Sequence, residues 1–457
     1  MVATGFNRRK NKKTKSITMN TNSTTNWAAP VSQQERISLL DSLRGIAILG
    51  ILLMNIPSFG LPKSVGHDPF LLNEQGLNYQ LWYIVNWFFD GTQRALFSML
   101  FGAGIILFTS RKEDTLSGTL PLDYFIRRQI WLILFSLFDV FILLWNGDIL
   151  LDYACLGLIM VAFRKSSPKA LLIGASLCFV FMLARENRDF YQDKKIIHRG
   201  ELVAAIDTTT TKLSERQKEE LNAMQEFKER NTQEKKIKRM ETSIRKATGS
   251  YEDVYEFRTN GYVEDLVPYL YFGVWDVLLF MFIGMAFFKM KILTGQAPTK
   301  VYWGLCVVGL GLGLTVSYYH LQPSIDYKLN WFDYTKNVPF EFYELSRTLR
   351  ALGIFGSIML LYKSNGFHWL FALLRPVGQM AFTNYLTQSL LCGMFFNGIG
   401  LAMYGKLERK EVYLVVAVVW IIQIIWSNVW LRYFKFGPLE WCWRSLTYWK
   451  LQPMKKA

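Results

Sequence analysis

The segment LLDSLRGIAILGILLMNIPSFG, residues 39–60, sets an acid, a guanidinium and an amide into an apolar run: Asp41, Arg44 and Asn55. Asp41 and Arg44 are three apart, so on a helix they share a face and can pair. Asn55 lies eleven residues beyond Arg44, about three turns at 3.6 residues per turn, and returns to the same stripe. Such a stripe is either an ion pair with an interhelical hydrogen bond or the wall of a substrate path. Two further carboxyl groups could take up a proton: Asp139 inside an apolar run and Asp148 in WNGDIL. Ionisable groups at membrane depth are costly and turn towards protein or a wet cavity.

Other pairs repeat the helical spacing. Asp90 and Arg94 are four apart, and Glu344 and Arg347 three. Asn384 and Gln388, in QMAFTNYLTQSLL, align at i, i+4 on an inward face. GPLEWCWR starts a helix at Pro438 and aligns Glu440 with Arg444, a structural pair on an amphipathic helix at the membrane interface. The five cysteines and four histidines are scattered, without a C-x-x-C pair, so neither a metal site nor a disulfide framework is expected. There is no nucleophile elbow, phosphate-binding loop, dinucleotide fingerprint or H-E-x-x-H.

The elements that position these residues follow from hydropathy. The chain has 457 residues, 51% hydrophobic, and its apolar runs approach the length needed to cross about 30 Å of hydrocarbon. Mean hydropathy is only +0.14 because a charged block near 185–262 dilutes it. The expected fold is an all-α, polytopic membrane protein of about ten spans: 39–59, 91–109, 129–146, 149–163, 170–183, 266–288, 301–319, 346–362, 379–400 and 412–434. Leu81 to Phe89 is too short to span alone and reads as an interfacial helix or an extension of the second span.

The net charge of +16 does not point to nucleic acid. Basic residues cluster in short loops, as the positive-inside rule asks of cytoplasmic loops, and no nucleic-acid-binding motif occurs among them. Both termini are expected in the cytoplasm, with Lys406, Arg409 and Lys410 as the dissenting loop. Four regions result. Residues 1–35 form a basic, disordered tail, and 36–184 an N-terminal membrane half. Residues 185–262 form a charged helical segment outside, and 263–457 a C-terminal membrane half. Within the outer segment, 213–249 reads as one solvated helix opened by a Ser214–Gln217 capping box. It rests on the membrane part or on a second copy, or acts as a lid. The basic start shows no cleavable signal peptide, so the first span is expected to serve as an uncleaved signal. Met19 is a candidate true start.

Five stretches, in order and spacing, resemble the YeiB-type bacterial membrane proteins, a family of unknown function. They are RISLLDSLRGIAILGILLMNIPSFGLP, LFSMLFGAG, WNGDILLDYACLGLI, GQMAFTNYLTQS and WLRYFKFGPLEWCWRSLTY. More distantly, the D-x-x-R-G entry into the first helix is similar to the transmembrane acyltransferase superfamily, which carries acyl groups from cytoplasmic acyl-CoA to acceptors across the membrane. The resemblance implies that Asp41, Arg44 and Asn55 line an acyl-carrier path, with Arg44 at the cytoplasmic mouth. It also implies a histidine base shortly after the first helix, where His67 stands. Many family members carry a further membrane histidine where this chain has Val140, which leaves Asp139 or Asp148 as the base.

The expectation is therefore an enzyme of the inner membrane, with no bound cofactor and acyl-CoA as co-substrate. Its catalytic candidates are Asp148, Asp139 and His67. Asp41, Arg44, Asn55, Arg94, Glu344, Arg347, Asn384 and Gln388 would line the path. The acceptor would be a glycan or small molecule, and the partners the bilayer and a second copy of the chain. A permease using the same polar cavity is the alternative.

Overall fold

A computed structural model describes residues 37–113, 120–207, 209, 212–364 and 366–456. The basic tail and Met19 lie outside this set. Among the described residues seventeen α-helices follow in order. They are α1 (Ser38–Gly60), α2 (Lys63–His67), α3 (Leu77–Ile84), α4 (Thr92–Glu113), α5 (Leu120–Phe141), α6 (Leu150–Met160) and α7 (Pro168–Ala204). Then come α8 (Glu215–Arg230), α9 (Gln233–Ala247), α10 (Tyr251–Lys289), α11 (Thr299–Asp326), α12 (Trp331–Asn337) and α13 (Tyr343–Lys363). The last four are α14 (His368–Gln379), α15 (Ala381–Phe396), α16 (Arg409–Tyr433) and α17 (Pro438–Tyr448). Among the described residues the only β pairing is an isolated bridge between Phe434 and Lys455.

Among the described residues, five helical stretches are long and apolar enough to cross a membrane: Ser38–Gly60, Leu77–Ser110, Pro168–Ala204, Thr299–Asp326 and Arg409–Tyr433. A sixth arises if α10, bent by 70° near Pro268, counts as one span. The remaining expected segments are helical over most of their length, but α5 stops at Phe141 and α15 at Phe396, short of the expected ends at 146 and 400, and α6 and α15 have only 11 and 16 residues. Along α16, Leu414, Val418, Ile421 and Ile425 form an exposed apolar stripe, while Gln423 and Ser427 are buried. Apolar outside and polar inside is the arrangement a lipid solvent selects.

Local sequence explains several helix ends. Ser167 accepts the N–H of Ala170 and Pro168 follows at the first helical position of α7. The Ser214–Gln217 capping box opens α8 as expected. The single helix expected over 213–249 is in fact two. Asn231 and Thr232 break it, and the Thr232 side chain caps α9 by accepting the N–H of Lys235. The 379–400 span likewise starts with a break: α14 ends at Gln379 and α15 begins afresh at Ala381. The 81–89 stretch joins the second span through a π-helical turn, Val85–Phe89.

Packing is close where side chains are smallest. Gly45 of α1 and Gly378 of α14 bring the two backbones together. A Cβ on Gly378 would collide with the Asp41 carbonyl, and one on Gly45 with the Leu374 carbonyl. This contact fixes where α1 presents Asp41 and Arg44. Gly91, at φ 72°, makes the turn into α4 and lets the Arg347 side chain pass over it.

Candidate functional site

A cavity of about 250 Å³ lies between α1, α4, α5, α6, the α14–α15 junction and α17. Three guanidinium groups line it: Arg44, Arg128 and Arg444. Arg128 is close enough to both others to feel their charge. Its guanidinium lies 3.6 Å from the Trp443 ring centre, and its carbonyl accepts the Trp443 indole N–H at 2.9 Å. Arg444 stands over the Phe436 ring. Arg44 donates to Asp41 at 2.8 Å and its side chain is 30% exposed, so this end opens outward. The other Asp41 oxygen accepts from Gln379 at 3.3 Å. Three guanidinium groups, two of them against aromatic faces, with Asp41 and Glu440 as the acids of the lining, make a site for a polyanion such as phosphate.

Beyond the arginines the lining turns apolar: Phe97, Leu100, Phe101 and Ile105 of α4, and Leu132 of α5. Two tyrosines also line it, Tyr153 and Tyr385. The Tyr385 hydroxyl donates to Asp148 Oδ1 at 3.2 Å and accepts the Ile149 N–H at 3.2 Å. The second Asp148 oxygen accepts the Ser136 hydroxyl and the N–H groups of Leu150 (3.0 Å) and Leu151 (3.3 Å), at the start of α6. Asp139 is fully buried beside Asp148 and near Ser389. Neither of its oxygens has a well-formed hydrogen bond. Tyr385 therefore connects the cavity to a buried pair of carboxyl groups.

The structure sorts the sequence candidates. Asp41, Arg44, Glu440 and Arg444 line the cavity, and Asp148 and Asp139 stand behind Tyr385. Glu440 directs its oxygens to α15, accepting the N–H groups of Phe382 (2.8 Å) and Thr383 (3.0 Å) and the Thr383 hydroxyl (2.5 Å). That carboxylate caps the helix carrying Tyr385. Asn384 and Gln388 are buried but tie helices together. Asn384 donates to the Val377 carbonyl and Ser427, and Gln388 to the Ile48 carbonyl and Gln423. Asn55 and His67 are not among the residues that line the cavity, and His67 is exposed.

Arg94, Glu344 and Arg347 belong to a second cavity, of about 580 Å³. There Asp276, 1% exposed, bridges Arg94 and Arg347 at 2.5 Å each, and Arg347 also pairs with Glu344. The two cavities share α4: Arg94 faces the second and Phe97, one turn on, the first. Tyr153 closes the gap, donating to the Arg94 carbonyl at 3.3 Å and sharing a hydrogen bond with Ser98 at 2.8 Å.

Sequence reasoning missed Asp276, Arg128, Tyr153 and Tyr385. Asp276 was visible as a lone acid in VWDVLLFMF. Arg128 is one basic residue beside another, Arg127, ahead of an apolar run, and the tyrosines carry no spacing signal. No group of three or more His, Cys, Asp or Glu side chains able to hold a metal ion occurs among the described residues.

Residues 287–450 match the model of a family described as protein of unknown function, DUF418. The chain is 30% identical over 449 residues to the uncharacterized protein YxaH of Bacillus subtilis (strain 168), covering 93% of this chain and 98% of that one. It is 28% identical over 416 residues to the uncharacterized protein YeiB of Escherichia coli (strain K12), covering 90% and 96%. An uncharacterized 39.9 kDa protein encoded in the amylase 3′ region of Bacillus acidopullulyticus is 25% identical over 426 residues, covering 92% and 96%. No solved structure matches.

Proposed function

We propose, for a chain that belongs to the YeiB-type family of unknown function, DUF418, that it is a membrane acyltransferase. The acyl group comes from cytoplasmic acyl-CoA and goes to a glycan or small hydroxylated acceptor on the far side of a bacterial inner membrane. The observation that carries this reading is the first cavity, lined by three arginines and apolar walls, with Tyr385–Asp148 against it. In this reading the chain crosses about ten times with both ends inside, which puts Arg44 at the cytoplasmic surface.

Arg44, Arg128 and Arg444 hold the coenzyme phosphates, and the acyl arm lies among Phe97, Leu100 and Phe101. The acceptor hydroxyl attacks the thioester carbonyl. The new C–O bond forms, the C–S bond breaks, and the acceptor proton passes to the Tyr385–Asp148–Asp139 relay before protonating the coenzyme thiolate. Asp148 is the group we assign as base, with Asp139 holding its charge in check and Tyr385 as the contact to the reacting atoms.

A permease for a small polar or anionic solute is the second reading. The observation favouring it is the second cavity, which begins one turn of α4 from the first. Acetyl-CoA titrated onto the purified protein separates the two. It should raise the unfolding midpoint, because a ligand of the folded state stabilises it, and Arg44→Ala should abolish the rise. Tyr385→Phe should leave the rise intact and cut release of free coenzyme by about a hundredfold or more. No midpoint change at millimolar acetyl-CoA and no coenzyme released with any glycan acceptor would remove the enzyme; solute flux in proteoliposomes would then favour the permease.

A further inference from the structure

The second cavity carries more acid than its own bases can balance. Six carboxyl groups line it, from Glu186, Asp189, Asp193, Asp276, Glu341 and Glu344, against the guanidinium groups of Arg94, Arg185 and Arg347 and the imidazole of His320. Half of the acids are accounted for. Asp276 lies between Arg94 and Arg347, Glu344 pairs with Arg347 and stands 3.8 Å from Arg185, and Glu341 is 2.5 Å from His320 Nδ1.

The other three, Glu186, Asp189 and Asp193, have no ion pair among the described residues, though Arg230 lies within electrostatic range of Asp193. They sit at i, i+3 and i+7 on α7 and so share one helix face. Glu186 Oε1 accepts the Glu344 N–H at 3.1 Å, and Asp189 Oδ1 accepts the Tyr271 hydroxyl at 3.3 Å. Their remaining oxygens, Glu186 Oε2 and Asp189 Oδ2, are shut off from solvent and have no hydrogen-bond partner. Unmet buried acceptors of this kind cost free energy until a donor fills them.

Two aromatic rings join the row in the lining, Phe190 from α7 itself and Trp331 from α12. Trp331 stacks on Tyr334 with ring centres 5.1 Å apart, Phe190 meets Trp331 edge-on at 5.9 Å, and the Trp331 indole donates to Asp193 at 3.4 Å. Carboxylates beside aromatic faces form a site for an organic cation. The ligand is a cation whose N–H groups can donate to carboxylate oxygens. It must also carry charge along the row: from Glu186 to Asp193 is seven residues, about 10 Å of helix. A metal ion is disfavoured, since these side chains do not converge as ligands.

We infer that this cavity binds an aliphatic di- or polyamine, its ammonium groups spread along Glu186, Asp189 and Asp193 and its methylene chain against Trp331 and Phe190. The cavity of about 580 Å³ falls in the usual range for a small-molecule site. The inference does not rest on acyl transfer, and it holds for an enzyme or a permease.

Spermidine is the probe, titrated calorimetrically onto the full chain in a non-ionic detergent, with butylamine and 1,6-hexanediol alongside. Spermidine should bind with one-to-one stoichiometry, butylamine at least about tenfold more weakly, and the diol not at all. Glu186→Gln and Asp189→Asn should each weaken spermidine by about tenfold or more, the scale expected for losing one partner of a buried charge contact. Both variants remove unbalanced buried charge, so the ligand-free proteins should unfold no earlier than the parent. Glu219→Gln, exposed on α8, should change nothing. Spermidine binding no tighter than butylamine, or binding that survives both substitutions unchanged, would overturn the inference.

Discussion

Asp276→Asn tests the charge cluster that joins α4, α10 and α13. The carboxylate is 1% exposed and stands 2.5 Å from a guanidinium nitrogen of both Arg94 and Arg347. The amide keeps the shape but removes the charge between the Arg94 and Arg347 guanidinium groups, of which Arg347 still pairs with Glu344. Breaking a buried pair by neutralising one partner costs about 3–5 kcal/mol. Arg94 is 32% exposed on its side chain and can turn partly towards water, so the lower end, about 3 kcal/mol, is expected here. At about 1.4 kcal/mol per decade this is roughly a 150-fold loss in the folded-to-unfolded ratio. SDS titration of the purified protein followed by tryptophan fluorescence measures it. A second change, Arg94→Gln, restores the charge balance and should recover at least about 1 kcal/mol of the loss, giving non-additivity in a double-mutant cycle. A single variant that unfolds at the parent's SDS fraction, or a double variant whose losses simply add, would show that the cluster is not a coupled electrostatic unit.

Gly378→Ala forces a methyl group onto the Asp41 carbonyl; overpacking of this kind costs about 1–3 kcal/mol. It should also weaken acetyl-CoA by shifting Asp41 and Arg44, and an unchanged midpoint with unchanged ligand response would refute the close α1–α14 contact. Arg409→Ala removes a guanidinium that binds Glu74 at 2.7 and 3.1 Å and the carbonyls of Val65 and Gly66. Limited proteolysis should then cut the 61–76 loop faster than in the parent, and identical cleavage rates would mean that Arg409 does not hold it.

Hydropathy and capping rules made much of the helix order readable. The first span was expected over 39–59 and is Ser38–Gly60. The Ser214 capping box and the Pro438 start stand where the sequence puts them. What hydropathy hid is continuity. Helix α7 runs unbroken from an apolar stretch into a charged one as far as Ala204, and α10 makes the reverse passage from Tyr251. A change of solvent preference is therefore not a change of element. Single-residue spacing also found pairs only within one helix. Asp41–Arg44 and Glu344–Arg347 were legible because both partners lie three apart. Asp276, which draws Arg94 and Arg347 together from different helices, left only the trace of one acid in an apolar run. The same holds for Arg409, whose place in a supposedly outer basic loop looked like an exception to charge asymmetry. It is 2% exposed and answers to Glu74, so it reports packing rather than orientation.

Because α4 presents Arg94 to one cavity and Phe97 to the other, the two sites have a common partition rather than separate walls. An occupant that displaces this helix on one side alters the free energy of filling the other. Linkage then requires the same factor in both directions: whatever acetyl-CoA does to the affinity for spermidine, spermidine must do to the affinity for acetyl-CoA.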